Sequence, residues 1–315
     1  MPKKSSMAER PRLAICIPTY CRDTIVAANL ARMIGEARRL NIGLYVSDDS
    51  LDDLTRDAVQ AFGDVHYRRN TPSLGHDCNL IATLTWPDAD YVWLLGDKHW
   101  VYPDQLAGIL DFLNDQDFVF VNYQSPDHDD IPQVGGEEAK SLLKRTLWHQ
   151  TRTGATIYHR RVCDWVAGQG IELIVKPDFP QVSVMLGFAS SHNATIGWYG
   201  HPSLGVVQQK SYWQKQAITV FADHWSAVVS AFPQVIPPED QPEVIRSHSA
   251  RMNLFSVVTL LDLRLAGGFT WRHLGQPTFR RAAHLPLWKM AATLLVPKPA
   301  LSFAKRIRNA RRART

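Results

Sequence analysis

Gly96-Asp97-Lys98-His99 closes the apolar run Tyr91–Leu95 with a carboxylate, an ammonium and an imidazole. Chains usually turn on residues such as Gly, Asn or Ser, so three consecutive groups able to hold a metal or a phosphate point to a ligand. Three other apolar runs stop in polar groups. "LAICIPTY" (13–20) leads into Cys21 and Arg22, "IGLYVSDDS" (42–50) ends on Asp48 and Asp49, and "VHYRRN" (65–70) ends on Arg68 and Arg69. Ser47-Asp48-Asp49-Ser50 taken alone also reads as a helix N-cap, and Arg68 and Arg69 as solvated arginines.

These runs read as strands, and the segments between them read as helices. "TIVAANLARMIGEARRL" (24–40) has apolar residues at helical spacing and a basic last turn. "LDDLTRDAVQAF", "LGHDCNLIATLTW" and "PDQLAGILDFLN", the last with Pro103 near its first turn, read as helices, and "DFVFVNYQ" (117–124) as a fifth strand. Alternation in units of about 25–30 residues predicts an α/β fold, a Rossmann-like, mostly parallel sheet flanked by helices. Ligands of such sheets bind outside the carboxyl ends of the strands, where the polar groups above lie. "SPDHDDIPQVGGEEAK" reads as a polar loop, "GATIYHRRVCDWV" as strand then helix, "KPDFPQVSVMLGFAS" as a turn and a buried helix, and "NATIGWYG" and "LGVVQQ" as strands. Beyond Ser211 the chain reads as mainly helical. The expected organisation is a flexible N-terminus (1–10), a sheet domain over 11–210 divided at 125, a helical region over 211–304 and a basic tail over 305–315.

That tail, "KRIRNARRART", carries six cations and no acid, and without it 29 basic residues face 30 acidic ones. The net charge of +5 therefore belongs to the tail and not to the fold. A basic tail suits an anionic membrane surface or nucleic acid, or is a solvated end. No nucleic-acid motif accompanies it, and no nucleic-acid partner is expected. None of the four cysteines forms a C-x-x-C pair, "MPKKSSMAERPR" lacks the apolar stretch of a signal peptide, and no run approaches about twenty apolar residues. No G-x-G-x-x-G follows the first strand, which disfavours a nicotinamide-dependent enzyme.

In order, "LAICIPTYCR", "YVSDDSLDD", "NTPSLGHDCN" and "YVWLLGDKHWVYPDQL" resemble the first strand and loop, the V-D-D-G-S-x-D signature, the Asn…Gly…Arg-Asn segment and the metal-site strand of family 2 glycosyltransferases. These enzymes have the GT-A fold. The resemblance is nearest to bacterial abequosyltransferase- and rhamnosyltransferase-like members that build surface polysaccharide. It covers residues 11–125 well, 150–210 loosely and little beyond. It implies a nucleotide-diphospho-sugar donor, a saccharide or lipid-linked saccharide acceptor, a divalent cation (Mn2+ or Mg2+), and a cytoplasmic enzyme peripheral to the inner face of the membrane. The family positions that hold the donor correspond to Pro18, Thr19, Tyr20, Arg22, Asp48, Asp49, Asn79, Asp97 and Lys98. There a carboxylate accepts from a base N–H or a ribose hydroxyl, Tyr20 can stack on the base and Arg22 can pair with phosphate.

The sequence departs from the family at two places. Cys78 stands where relatives have arginine before Asn79; Arg68 and Arg69 are candidates to replace that phosphate contact. Lys98 stands where G-D-D-D relatives have the aspartate that ligates the metal. Either Asp97 and His99 form a D-x-H metal site, or Lys98 replaces the ion and neutralises the leaving diphosphate, or the site is degenerate and the protein only binds nucleotide-sugar. Inverting members carry a carboxylate base in the second half. Asp178 in "KPDFPQ" corresponds best, with Asp164 and Glu172 as substitutes and a helix N-cap as the plain alternative. "LWHQTRTGATIYHRR" is similar to the acceptor-facing region, so Trp148, His149 and Arg152 are expected to meet the acceptor. His192 and His201 are weaker candidates for a further metal ligand.

Overall fold

The structure, a computed structural model, describes residues 10–123, 125–173, 177–207 and 215–303. The basic tail expected over 305–315 lies outside them, as does the N-terminal segment except Arg10. Two compact units are present. The first takes the described residues up to 173 together with 179–207, and the second takes 177–178 and 215–303.

The first unit runs β1 (Leu13–Thr19), α1 (Asp23–Arg39), β2 (Gly43–Asp48), α2 (Leu54–Gln60), β3 (His66–Arg69), α3 (His76–Thr85), β4 (Tyr91–Leu94), β5 (His99–Val101), α4 (Leu106–Phe112), β6 (Phe118–Val121), β7 (Ile131–Val134), α5 (Gly136–Gln150), β8 (Thr156–His159), α6 (Arg160–Gln169), α7 (Pro180–Ser191), β9 (Ile196–Tyr199) and β10 (Leu204–Val206). Eight strands form one sheet in the order β3-β2-β1-β4-β8-β6-β9-β7, and β5 and β10 form a separate ribbon. Pairing is parallel from β3 through β4, and antiparallel where β8 meets β4 and β6 and where β7 meets β9. Six strands therefore share one direction.

β1 is buried at all seven positions, as a central strand covered on both faces must be. Helix α1 turns Val26, Leu30, Met33, Ile34 and Ala37 to the core, and its acid at the start and arginines at the end suit the helix dipole. The parallel register sets Thr19 beside Asp48 and Asp48 beside Arg69, while Leu95 N–H reaches the Cys16 carbonyl at 2.8 Å. The polar strand ends of the sequence thus lie along one edge of the sheet.

The segment read as a polar loop after β6 contains β7 and the start of α5. β7 is an edge strand, where Pro132 removes no ladder bond that the sheet needs. The second unit begins its helical part with a π-helical segment, Thr219–His224, that leads into α8 (Trp225–Ser230). α9 (Gln241–Arg251), α10 (Val257–Leu265), α11 (Trp271–Leu274), α12 (Pro277–Ala282) and α13 (Leu287–Leu295) follow. Phe279 centres this unit's core, with its ring centroid 5.1 Å from Phe255 and 5.6 Å from Phe269.

Candidate active site

β4 is followed by a turn that the protein fastens from three sides. Asn29 of α1, fully buried, donates its side-chain amide to the Asp97 carbonyl at 2.8 Å. The Gly96 N–H points at the Thr153 carbonyl at 3.4 Å, and His99 N–H closes on Gly96 O at 2.8 Å. Trp93 donates its indole N–H to Gly154 O at 2.8 Å, which holds residues 152–154 against the strand end. A Cβ on Gly96 would lie 3.0 Å from His99 Nδ1 and 3.3 Å from Thr153 Cβ, so glycine permits this approach.

Arg22, at the start of α1, donates Nη1–H to Asp97 Oδ1 at 2.6 Å, and Thr19 Oγ1 lies 3.4 Å from Asp97 Oδ2. Burial pushes the Asp97 carboxyl above its ordinary range, and Arg22, Lys98 and Thr19 oppose that shift. Asp97 therefore depends on its cations to stay charged. Burial and then Arg22 pull the Lys98 ammonium below the usual lysine range, with Asp97 opposing. His99 is held neutral. Burial first, then Arg152 and Lys98, push its pKa down to about 4, the Gly96 carbonyl opposing, and its buried Nδ1 makes no hydrogen bond. Arg152 lies over the Tyr123 ring at 4.0 Å, and that ring meets His99 edge-on at 6.0 Å. Thr19, Arg22, Asp97 and Lys98 thus come together at the strand end, and Arg152 lies against the Tyr123 ring that meets His99. Tyr20 is 55% exposed at the rim.

Several expected donor contacts are interior instead. Asp48 is fully buried; its Oδ1 accepts from Ser50 N–H and Oγ, and its Oδ2 from Tyr67 OH at 2.8 Å. Asp49 is 3% exposed and accepts from Leu74 N–H, Gly75 N–H, Ser73 Oγ and Asn70 Nδ2 at 2.7, 2.8, 2.6 and 3.1 Å. Asn79 takes Ser47 Oγ at 2.8 Å and Asn70 Nδ2 at 3.0 Å, and donates to Ser47 O at 3.2 Å. These three residues tie the ends of β1 and β2 to the loop before α3, and Pro18 is buried in β1. Here the side chains of Asp48, Asp49 and Asn79 bond within the protein, and these residues and Pro18 stay proposed donor residues. Arg69 pairs with Asp53, while Arg68 contacts Ser47 Oγ at 3.3 Å and lies 4.5 Å above the Trp86 ring.

Trp148 and His149 stay proposed acceptor residues. Both are buried on α5, and His149 Nε2 accepts the Tyr123 N–H at 3.1 Å. Burial, then Arg152, lower the His149 pKa to about 3, so it serves as a neutral acceptor inside the core. Arg152, with its guanidinium over the Tyr123 ring, stays a proposed acceptor residue. His192 stacks on Phe188 at 4.2 Å and bonds Ser191 Oγ at 2.9 Å, and His201 lies 4.0 Å from Asp130.

Asp178 lies in the second unit. Its carboxylate is 2.7 Å from His224 Nδ1, and its φ of +78° is the left-handed region that a non-glycine residue enters only under constraint. Helix α7 takes Phe179 as its N-cap with no side-chain bond from that residue. Asp164 is paired with Arg160 at 2.6 Å, and Glu172 is exposed. His224 ends the π-helical turn, a distortion frequent at functional sites that single-sequence periodicity does not reveal. Asn29 was detectable only as a polar residue on the apolar face of α1.

A divalent ion at the strand end would have Asp97 and His99 as its protein donors. Asp97 is already bridged by Arg22, and among the described residues no three His, Cys, Asp or Glu side chains gather. Arg22 and Lys98 against Asp97 leave the strand end net positive. Each pair of like unit charges ~6 Å apart disfavours an added ion by roughly 3 kcal/mol at an effective dielectric of about 20. A divalent ion there would rest on Asp97 and His99 together with phosphate oxygens of a bound donor, since such ions commonly take only one or two protein ligands at a diphosphate.

Residues 14–161 match Glycosyl transferase family 2. Abequosyltransferase RfbV of Salmonella typhimurium is 27% identical over 115 residues, which are 35% of this chain and 34% of that protein. The match thus spans about a third of the length of this curated relative. Among solved structures, S. aureus TarS 1–349 superposes with a TM-score of 0.57 over 92% of this chain and 83% of that one at 12% identity. The mannosyltransferase PcManGT from Pyrobaculum calidifontis, in complex with GDP-Man and Mn2+, superposes with a TM-score of 0.51 over 91% and 88% at 14% identity. At such identities the likeness is one of fold: the chain has the α/β GT-A fold with a helical C-terminal region.

Proposed function

We propose that the chain, whose residues 14–161 form a family 2 glycosyltransferase domain, transfers a sugar from a nucleotide-diphospho-sugar to a hydroxyl of a saccharide or lipid-linked saccharide. The pathway proposed is bacterial surface polysaccharide synthesis, and the transfer inverts the anomeric carbon. The observation that carries the reading is the meeting of Arg22 and Lys98 with Asp97 at the ligand-binding edge of the sheet. A departing nucleoside diphosphate needs such charge. TarS in complex with UDP-GlcNAc and PcManGT in complex with GDP-Man share the fold, which supports a nucleotide-sugar donor.

In the proposed reaction Asp178 accepts the proton of the acceptor hydroxyl, and His224 orients its carboxylate. The acceptor oxygen forms its bond to the anomeric carbon as the bond from that carbon to the phosphate oxygen breaks. The electron pair leaves with the nucleoside diphosphate, whose charge meets the site cations. A single displacement inverts the carbon.

The test is a thermal-shift screen of UDP-, GDP-, CDP- and dTDP-sugars on the full chain, followed by assay of nucleoside diphosphate release. One donor class is expected to raise the melting temperature. Asp178→Asn is expected to keep that shift and to lower turnover at least 100-fold. If no nucleotide-sugar shifts the melting temperature, the reading fails. A shift with no release or transfer by the wild type instead favours a nucleotide-sugar-binding protein without activity.

A further inference from the structure

We propose that Gln181, on the first turn of α7, is a positioning residue: its side-chain amide fixes the loop 151–154 and, through that loop, the turn at the end of β4. The proposal rests on the donor reading above and concerns what holds the donor site in its working shape.

Residues 151–154 lead from α5 toward β8 and turn through Gly154 at a φ of +115°, where a Cβ would fall 3.1 Å from Leu95 Cδ1. Three carbonyls of this loop meet donors from outside it. Thr151 O takes the Gln181 Nε2–H at 2.9 Å, Thr153 O faces the Gly96 N–H at 3.4 Å, and Gly154 O takes the Trp93 indole N–H at 2.8 Å. The loop is therefore tied to α7 at its start and to β4 and the following turn at its end. The Gly96 turn runs directly into Asp97, which pairs with Arg22, and into Lys98. Gln181 is thus two hydrogen-bonded steps from the strand end without belonging to it.

Gln181 is a costly choice for the fold alone. It is 4% exposed, and its neighbours Val182, Val184, Met185 and Leu186 are buried and apolar. Its Oε1 is buried and has no hydrogen-bond partner. A buried amide oxygen without a donor costs at least as much as one neutral hydrogen bond returns. On packing alone an unbranched apolar side chain of the same length, such as methionine, suits the position better. The amide is useful for its N–H, and that N–H goes to the loop backing the site. A residue kept against the preference of its surroundings points to function. The function that the contacts indicate is precision: a misplacement of about 1 Å at groups meeting a leaving diphosphate lowers the rate about 100-fold, while donor affinity suffers less.

The experiment compares full-length wild type with Gln181→Met and Gln181→Glu. Melting temperature is measured first, then steady-state release of nucleoside diphosphate from whichever of the UDP-, GDP-, CDP- and dTDP-sugars raises it. Gln181→Met removes both polar atoms and keeps the length. It is expected to melt at the wild-type temperature or above and to lower kcat at least tenfold, with KM for the donor changed less than threefold. Gln181→Glu keeps the shape, and its carboxyl donates to Thr151 O only when protonated. Burial beside a carbonyl raises such a carboxyl's pKa, so kcat of this variant relative to wild type is expected to recover as pH is lowered from about 8 to about 5. Wild-type kcat in either folded variant at about pH 8, or a Gln181→Glu ratio that stays fixed across this range, overturns the proposal and leaves the donor reading standing. Failure of both variants to fold makes Gln181 a residue of the fold and overturns it as well. Wild type that releases no nucleoside diphosphate from any of the four donor classes overturns the donor reading and the role of Gln181 with it.

Discussion

Asp49 illustrates what a strand-end carboxylate does when its own loop fills it. Burial alone would raise its pKa. Hydrogen bonds from Ser73, Leu74 N–H, Asn70 and Gly75 N–H outweigh that and hold it below the ordinary carboxylate range. A lowered folded-state pKa means that the unfolded chain binds the proton more readily. The stabilisation is therefore complete above the unfolded pKa of about 3.9 and is lost as pH falls through the folded value. Asp49→Ala leaves buried N–H and O–H donors without an acceptor, at a cost of about 3 kcal/mol at pH 7. Urea unfolding should show the gap between wild type and mutant narrowing as pH is lowered below about 4; a gap that stays constant from neutral to acid pH rejects this role. The sequence made "SDDS" legible as a polar strand end but not as an interior one. The donors that occupy Asp49 lie in residues 70–75, after another helix and strand, and no local spacing announces them. The Lys98 substitution, by contrast, is legible from the one motif, and the structure adds that Arg22 accompanies it.

At the scale of elements, helices and strands with full periodicity were readable, among them β1, α1 and α3, because one face or the whole segment is buried. The ribbon of β5 and β10 leaves no sign of its pairing in the sequence. His99–Val101 is three residues long, and its partner, Leu204–Val206, belongs to a distant part of the chain. Yet this ribbon carries His99 and continues directly from Lys98, so it sets the pose of the site. Its fit depends on Gly205, where a Cβ would fall 2.2 Å from Trp100 ring atoms. Trp100 has little freedom to yield, since Arg32 stacks on it at 4.0 Å. Gly205→Ala is expected to cost roughly 1–3 kcal/mol by overpacking and to weaken nucleotide binding through the shifted ribbon. Denaturant titration should give a lower midpoint with an unchanged slope; an unchanged midpoint would show that the ribbon tolerates the methyl group. β7 is hidden in the sequence for a different reason. Pro132 argues against a strand, and only an edge position next to β9 accommodates it.

The whole molecule has to meet its acceptor, and a lipid-linked acceptor would confine that meeting to a membrane surface. No helix among the described residues is long and apolar enough to cross one. The second unit nevertheless exposes Trp271, Leu287, Phe303, Trp288 at 68% and Leu295 at 71%. α13 explains part of this: Met290, Thr293 and Leu294 face inward, so Leu287, Trp288 and Leu295 must face out. The six cations of residues 305–315 follow in the sequence. Exposed aromatics suit the headgroup layer, and each cation near an anionic surface contributes about 1 kcal/mol. The protein is therefore expected to float with phosphatidylglycerol vesicles at low salt and much less with neutral vesicles. Removing 305–315 should abolish the preference for anionic lipid. Trp288→Ser with Leu295→Ser should weaken binding about tenfold while leaving its salt dependence in place, because apolar insertion and charge act separately. The two arms separate the contributions: loss on tail deletion alone assigns docking to charge, and equal flotation of all three proteins on both kinds of vesicle rejects membrane docking by this surface.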